Sequence, residues 1–392
     1  MVAAPLIDNS ARWRALVVLT FARVSMGLQF QAVASVSPFL ARELALDHTQ
    51  VGLLIGTFNL PGVIVALLAG AIASRFADRH ITLAGLLLLA LGGMIVAAAG
   101  SYETALVGRV LTGAGGILLN IQMAKMVADW FAGREIVLAM AVLINAWPIG
   151  IGLGQLIIGT LAEMTSWRWA LLAGSVASFG GLLLVAGAYR DAPGAAMQQK
   201  GLGFAQLTRR EVELVCWATG PWAIYNAAFI LVVAFLPAFF LDSGLSMATA
   251  GSISGLNTFL FILSVQAGGI LVHRWGRTGT IVAIGIAGWA ASLILLTAGF
   301  SPLALLVIGG LCGGLAAPIF ISLPAEVLRP EARAPGMALF YVLFYAVTAF
   351  APFLAGALRD LSQAPSAPIV LAVVCALAAW PLYLGFRWRQ RR

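Results

Sequence analysis

Charge is scarce in this chain. Only 10% of its 392 residues are charged, while 61% are hydrophobic; a soluble globular domain is about a quarter charged. Water is excluded as its main solvent, and a lipid bilayer takes that place. Acids are the scarcer sign, with 15 Asp and Glu against 23 Lys and Arg. Every one of them falls at the end of an apolar run or between runs, with Glu163 and Glu326 nearest to a run. Cysteine is rarer still: Cys216, Cys312 and Cys375 lie in apolar runs at unrelated spacings. That pattern excludes a disulfide framework and a thiolate metal cluster. His48, His80 and His273 sit at run ends and make no ligand pair. Without a nucleophile–base pair, a metal cluster or paired carboxylates, an enzyme is not expected. Neither is a cofactor or a metal. Polar stretches are short as well. Only 190–210, RDAPGAAMQQKGLGFAQLTRR, breaks the apolar pattern at length, so no extramembrane domain is expected.

What remains is a series of apolar runs. Spans of ~20 residues, enough for a hydrocarbon core of about 30 Å, are read at roughly 15–40, 49–73, 81–100, 105–127, 136–162 and 169–189. A second set follows at roughly 211–241, 248–272, 279–299, 303–325, 335–358 and 367–386. The runs are too long for barrel strands and lack alternation. An all-α membrane protein of twelve helices is therefore expected. The net charge of +8 raises the question of nucleic acid, and the placement of the charges answers it. With the N-terminus taken as cytoplasmic, Arg12, Arg14, Arg75, Arg79, Arg134, Arg190, Lys200, Arg209, Arg210, Arg274, Arg277, Arg329, Arg333, Arg387, Arg389, Arg391 and Arg392 share one side. Arg42, Arg168 and Arg359 hold the other. Such an excess places both termini in the cytoplasm by the positive-inside rule. Anionic lipid, and not nucleic acid, is what the basic tail would meet.

The chain also repeats itself. A shift of 199 residues carries Pro38 onto Pro237, Gly52 onto Gly251, Gly56 onto Gly255, Gly70 onto Gly269, Arg75 onto Arg274 and Arg134 onto Arg333. Two parallel copies of a hydrophobic unit are the mark of a two-lobed secondary transporter with its substrate between the lobes. The expected organisation is an N-terminal six-helix lobe over 1–189, a linker over 190–210 and a C-terminal six-helix lobe over 211–392. Prolines interrupt the runs at Pro61, Pro148, Pro318 and Pro324, with Pro221 expected to open helix 7; each removes a backbone hydrogen bond and bends its helix.

Two loops carry a motif. GILVHRWGR, from Gly269 to Arg277, places Gly269, His273, Arg274, Gly276 and Arg277 in a spacing that resembles the loop signature of the major facilitator superfamily. His273 stands where that family has an acid. The first copy, GAIASRFADR, keeps Gly70 and Arg75, has Ser74 for the acid and Ala77 for the second glycine, then Asp78 and Arg79. Arg109, Thr112, Gly113, Gly115 and Gly116 resemble the superfamily's fourth-helix pattern. The overall build is similar to its cyanate, nitrate/nitrite and organic-anion branches. This resemblance implies two six-helix lobes, alternating access, cavity-lining helices 1, 4, 7 and 10, and loop contacts that hold the cytoplasmic side shut when the outside is open. With acids missing at Ser74 and His273, Asp78 or Asp129 would have to serve that latch.

Charge inside a span is costly and is kept for a reason. Arg23, Arg109 and Lys125 are the three such residues. Arg23 lies ~13 Å beyond Arg14 at 1.5 Å per residue, and the 199-residue shift pairs it with Trp222. It either grips an oxyanion with two donors or snorkels to the interface. Arg109 shares a face with Gly113, Gly116 and Asn120, which makes either a polar stripe on the pathway or a packing seam. Lys125 is expected to reach the interface near Asp129. Uncharged candidates are Gln29, Gln31, Asn59, Asn145 and Asn257, with Trp222, Tyr225 and Asn226 on one face of helix 7 and Tyr341 with Tyr345 on helix 11. A positive pathway favours a small anionic solute; the alternative is a proton-coupled exporter of drugs or neutral metabolites. The expected partners are a small-molecule substrate, an exchanged or co-transported ion and the lipid bilayer. The chain is expected to act as a monomer in the inner membrane.

Overall fold

The computed structural model describes residues 9–73, 75–131, 135–192 and 207–392; Ser74, Arg134, Lys200 and most of the 190–210 connector lie outside the described residues. Twelve described helices are long and apolar enough to cross a membrane. They are α1 (Ser10–Glu43), α2 (His48–Leu68), α3 (Asp78–Ala97), α4 (Tyr102–Phe131), α5 (Ile136–Met164) and α6 (Trp167–Ala188), then α7 (Arg209–Asp242), α8 (Met247–Trp275), α9 (Thr278–Thr297), α10 (Pro302–Glu326), α11 (Pro330–Ser362) and α12 (Ala367–Arg391). Every expected span is present, and the first, fourth, eleventh and twelfth run a turn or more beyond the apolar stretch. Pro221 lies well inside α7 and does not open it, because Thr208 and Glu211 build a capping box further upstream.

The packing of the first six helices recurs in the last six. α1 lies against α5 and α6, and α3 against α4 and α6; α7 lies against α11 and α12, and α9 against α10 and α12. Between the halves, α2 crosses α11 and α8 crosses α5. The repeated glycines Gly52, Gly56, Gly251 and Gly255 sit at these crossings. A Cβ on Gly52 would lie 2.1 Å from the Pro352 carbonyl oxygen, on Gly56 2.0 Å from that of Ala349, and on Gly251 2.4 Å from that of Gln155. Backbone meets backbone there, and only hydrogen fits.

Three prolines alter the hydrogen-bond ladder. Pro61 has no N–H, and the chain crosses 58–61 in a tight turn, with Asn59 N–H reaching Gly56 O at 2.9 Å and Leu60 N–H reaching Thr57 O at 3.3 Å. Phe58 N–H turns to Ile55 O, which leaves Leu54 O without a helical donor. Pro237 likewise frees the Val233 carbonyl four residues back in α7. Gln31 Nε2 of α1 and Gln155 Nε2 of α5 both donate to that oxygen, at 3.0 and 2.9 Å, across the boundary between the halves. In the first copy Pro38 frees Ala34 O, and the neighbouring Ser37 hydroxyl takes it at 2.8 Å.

Candidate functional site

Between the halves lies a cavity of about 710 Å³, within the range of about 300–1,000 Å³ usual for small-molecule sites. Its lining reaches Ile136 and Val137 at the start of α5, Gly269 near the end of α8 and Ile321 late in α10. All four lie towards the arginine-rich end of the bundle. At the arginine-poor end the halves are sealed by the glycine crossings and by a carboxylate. Asp360 of α11 accepts from His48 N and Thr49 N at 3.1 and 2.7 Å and from Thr49 Oγ1 at 2.6 Å. Asp47 accepts from Gln50 N at 2.7 Å, so the free N–H groups of the first turn of α2 are divided between the two acids. Arg359 adds a 2.5 Å bond to Asp242 within the second half.

Asp360→Asn should weaken this seal. An anion at a helix N-terminus is worth about 0.3–1 kcal/mol, which corresponds to roughly a two- to fivefold shift towards opening at that end. Spin labels on Glu103 and Ser362, both exposed, would report it as a longer-distance population; an unchanged distribution would remove Asp360 from the seal.

Arg23 is the one charged residue among the described residues lining the cavity, and it is 8% exposed. Its Nη2 donates to Asn120 Oδ1 at 2.7 Å and its Nη1 to Asn120 O at 3.4 Å. Asn120 Nδ2 in turn reaches Tyr345 OH of α11 at 3.1 Å, so the chain Arg23–Asn120–Tyr345 bridges the two halves. No ion pair engages Arg23 among the described residues, and its Nε is buried without a partner. Asn59 Nδ2 and Trp222 Nε1, also in the lining, are buried donors of the same kind.

The cavity also gathers Asn145, Tyr225, Asn226 and Tyr341 from the sequence expectations. Tyr225 OH is held by Gly313 O at 2.5 Å and Asn226 Nδ2 by Trp222 O at 2.9 Å, while Asn145 Oδ1 accepts from Gln266 Nε2 of α8 at 3.2 Å.

Four expected residues stand elsewhere. Arg109 is 1% exposed and off the cavity lining. Its Nε fills the vacancy at Leu54 O at 3.0 Å, and its Nη atoms reach Gln29 O at 3.2 Å, Phe30 O at 3.4 Å and Ile55 O at 3.5 Å. The guanidinium lies 5.1 Å from the Phe58 ring centroid. Arg109 thus ties α1, α2 and α4 together at the bend that turns Asn59 into the cavity. Gln31 belongs to the seal at Val233. Asn257 Nδ2 bonds Leu306 O at 2.8 Å, joining α8 to α10. Gln29, another candidate, is tied to Ser175 and Leu89 inside the first half.

The motif loops make no ion pair between the halves among the described residues. Gly70 lies in the helix Gly62–Ala73. Arg75, His273, Arg274, Gly276 and Arg277 are exposed. Arg79 donates to Ala186 O. Asp78 accepts from Gln122 and Lys125 at 2.5 Å each, and Lys125 also meets Asp129 at 2.8 Å; all of these partners lie in the first half. In the second half Glu211 holds Arg329 at 2.9 Å, which raises the guanidinium above its ordinary range. With no charged latch across it among the described residues, the arginine-rich end stands open.

Of the aromatic walls the sequence reading named Trp222, Tyr225, Tyr341 and Tyr345 and missed the rest: Phe58, Trp147, Phe229, Phe261 and Phe344 also line the cavity. One signal was available. The shift of 199 carries Phe30 onto Phe229, and both pack on Trp147, with ring centroids 5.4 and 6.3 Å away.

Twelve spanning helices around a central cavity, sealed at one end and open at the other, define a membrane transporter and not an enzyme. The chain belongs to the Major Facilitator Superfamily, whose signature matches residues 19–306 and, in a second overlapping match, 218–392. It is a secondary transporter of that family. The structure is similar to that of a variant of the nucleoside transporter NupG, with a TM-score of 0.77 at 14% identity over 97% of this chain and 99% of that one. A D-xylose-proton symporter gives 0.77 at 14% identity over 94% and 97%. A bacterial homologue of the human lysosomal transporter Spinster, inward-facing and occupied, gives 0.73 at 14% identity over 98% of each chain. At such identities the likeness is one of fold. The MFS efflux transporter aclA of Aspergillus oryzae is 30% identical over 159 residues, which are 40% of this chain and 28% of that protein.

Proposed function

We propose that this protein carries a small anionic solute across the cytoplasmic membrane by alternating access. In this reading a lobe of residues 1–189 and a lobe of residues 211–392, joined by 190–210, rock about the central cavity. The excess of arginine at the open end favours a cytoplasmic placement of that end and of both termini, which makes the conformation inward-facing. The observation that carries the proposal is Arg23: among the described residues it is the single charge lining the cavity, a buried guanidinium without a carboxylate partner. A buried cation left unpaired is costly, and an anionic solute would supply the missing charge. No Asp, Glu or His lines the cavity among the described residues, so the rival reading of a proton-coupled exporter has no carrier group there. The family relative named for efflux leaves direction open, because an inward-facing cavity loads an exporter as readily as it unloads an importer.

The test is solute counterflow in proteoliposomes. Arg23→Gln should lower anion flux by about tenfold to a hundredfold, the range expected when a charge-assisted hydrogen bond of about 1.5–3 kcal/mol is lost. Equal flux in the variant, or flux of cations alone in both proteins, would overturn the proposal.

A further inference from the structure

We propose that the anion is a monocarboxylate with a flat apolar body, of the arylcarboxylate kind, gripped at its charged end by Arg23 and sandwiched by the aromatic wall of the second half. The inference rests on the anion reading above and narrows it. Three observations set the chemistry. The cavity holds one positive charge, so it can neutralise one negative charge; a dianion would carry its second charge into an apolar enclosure without a partner, at high cost. The buried unpartnered polar atoms of the lining, Arg23 Nε, Asn59 Nδ2 and Trp222 Nε1, are all N–H donors. They suit a pole that only accepts, as a carboxylate does. A polyhydroxylated solute would bring its own donors, for which the lining has no buried acceptor waiting.

The third observation is the wall. Trp222 lies nearly parallel to Phe344, at 25° and 6.1 Å between centroids, and to Tyr225, at 27° and 6.3 Å. Phe229 and Phe261 continue this surface with centroids 4.6 Å apart. Aligned ring faces favour another flat ring in offset stacking, and a cavity of about 710 Å³ leaves room for one beside the carboxylate. A compact inorganic oxyanion would satisfy Arg23 and leave the wall uncovered. The site also joins two elements that move apart: Arg23 and Asn120 belong to the first half, Trp222 and Phe344 to the second. A solute that spans them rewards closure around itself, whereas an anion held by Arg23 alone does not.

The experiment is isothermal titration of the purified full chain in detergent at neutral pH, using benzoate, acetate, succinate and benzyl alcohol in turn. Benzoate is expected to bind, with acetate, succinate and benzyl alcohol each weaker by about tenfold or more. Arg23→Gln should weaken benzoate by about tenfold to a hundredfold. Phe344→Ala should weaken benzoate while leaving acetate unchanged, a split that general damage to the fold would not produce. If acetate or succinate binds as tightly as benzoate and still depends on Arg23, the anion reading stands and the apolar body is refuted. If benzyl alcohol matches benzoate and Arg23→Gln changes neither, the anion reading falls with it. No heat from any of the four titrants would also refute the inference.

Discussion

Valine at Gly56 is expected to abolish transport while leaving the protein folded. A Cβ at this position would sit 2.0 Å from the Ala349 carbonyl oxygen, well inside van der Waals contact, and the obstacle is backbone that no rotamer change can clear. Relief requires α11 to leave α2, which is the opening of the arginine-poor end. Overpacking of this sort costs about 1–3 kcal/mol in ordinary cores. Here the strain belongs to one conformation only, so it appears as a shift of population. Reversing a 99:1 equilibrium takes about 5.5 kcal/mol and levelling it about half of that, which is within reach of this strain; valine adds two more carbons. Labels on Glu103 and Ser362 should therefore report a majority open at the arginine-poor end, with counterflow down by about a hundredfold. Gly251→Val should act in the same way through Gln155 of α5, where the added Cβ would be 2.4 Å from the carbonyl oxygen. Normal flux with unchanged label distances in either variant would show that the crossings are not the seal.

Arg109→Leu is expected to cost more stability than any other single change considered, about 3–5 kcal/mol. Leucine fills part of the space but donates nothing. Leu54 O, deprived of its helical N–H by the turn before Pro61, would then be buried without a partner, and each such group costs about 1–3 kcal/mol. The weaker bonds to Gln29, Phe30 and Ile55 go at the same time. Arg109→Lys keeps the charge but loses the fork that reaches α1 and α2 from α4, and should fall between the two. Detergent-solubilised melting curves give the order wild type, lysine, leucine. A leucine variant as stable as the wild type would mean that the bend in α2 is held by other contacts. Because that bend aims Asn59 at the cavity, the lysine variant should also bind solute less well, even though Arg109 does not touch the site.

Arg109 also shows where sequence reading runs out. The spans were legible because the bilayer demands ~20 apolar residues each, and the repeat was legible because both copies meet the same crossings with the same glycines. Arg23 could be singled out because a charge deep in a span stands out. Helical periodicity placed Arg109 with Gly113, Gly116 and Asn120 on one face, but periodicity reports a face and not what the face meets. The partners of Arg109 are carbonyl oxygens, which every residue owns; a proline seven positions beyond Leu54 made one of them available. Asn257 misled for the same reason, since its acceptor is the main chain of Leu306. The phenylalanines of the aromatic wall stayed hidden because phenylalanine is ordinary in a lipid-facing helix, and the pairing of Phe30 with Phe229 was the one cue to them.

The freed carbonyl of Val233 sets a condition on how the protein moves. Inside a helix, an oxygen that loses an outside donor can lean back on its own N–H four residues ahead. Pro237 has removed that option. When the halves part and Gln31 and Gln155 withdraw, only water can replace them. The channel opened at the arginine-poor end must therefore be hydrated at least to the depth of Val233, and the barrier to opening includes wetting that passage. The first copy, where Ser37 looks after Ala34 O locally, carries no such requirement. Two lobes descended from one pattern thus respond differently to dehydration: osmotic stress should slow the opening of this gate through a single oxygen atom in the seventh helix.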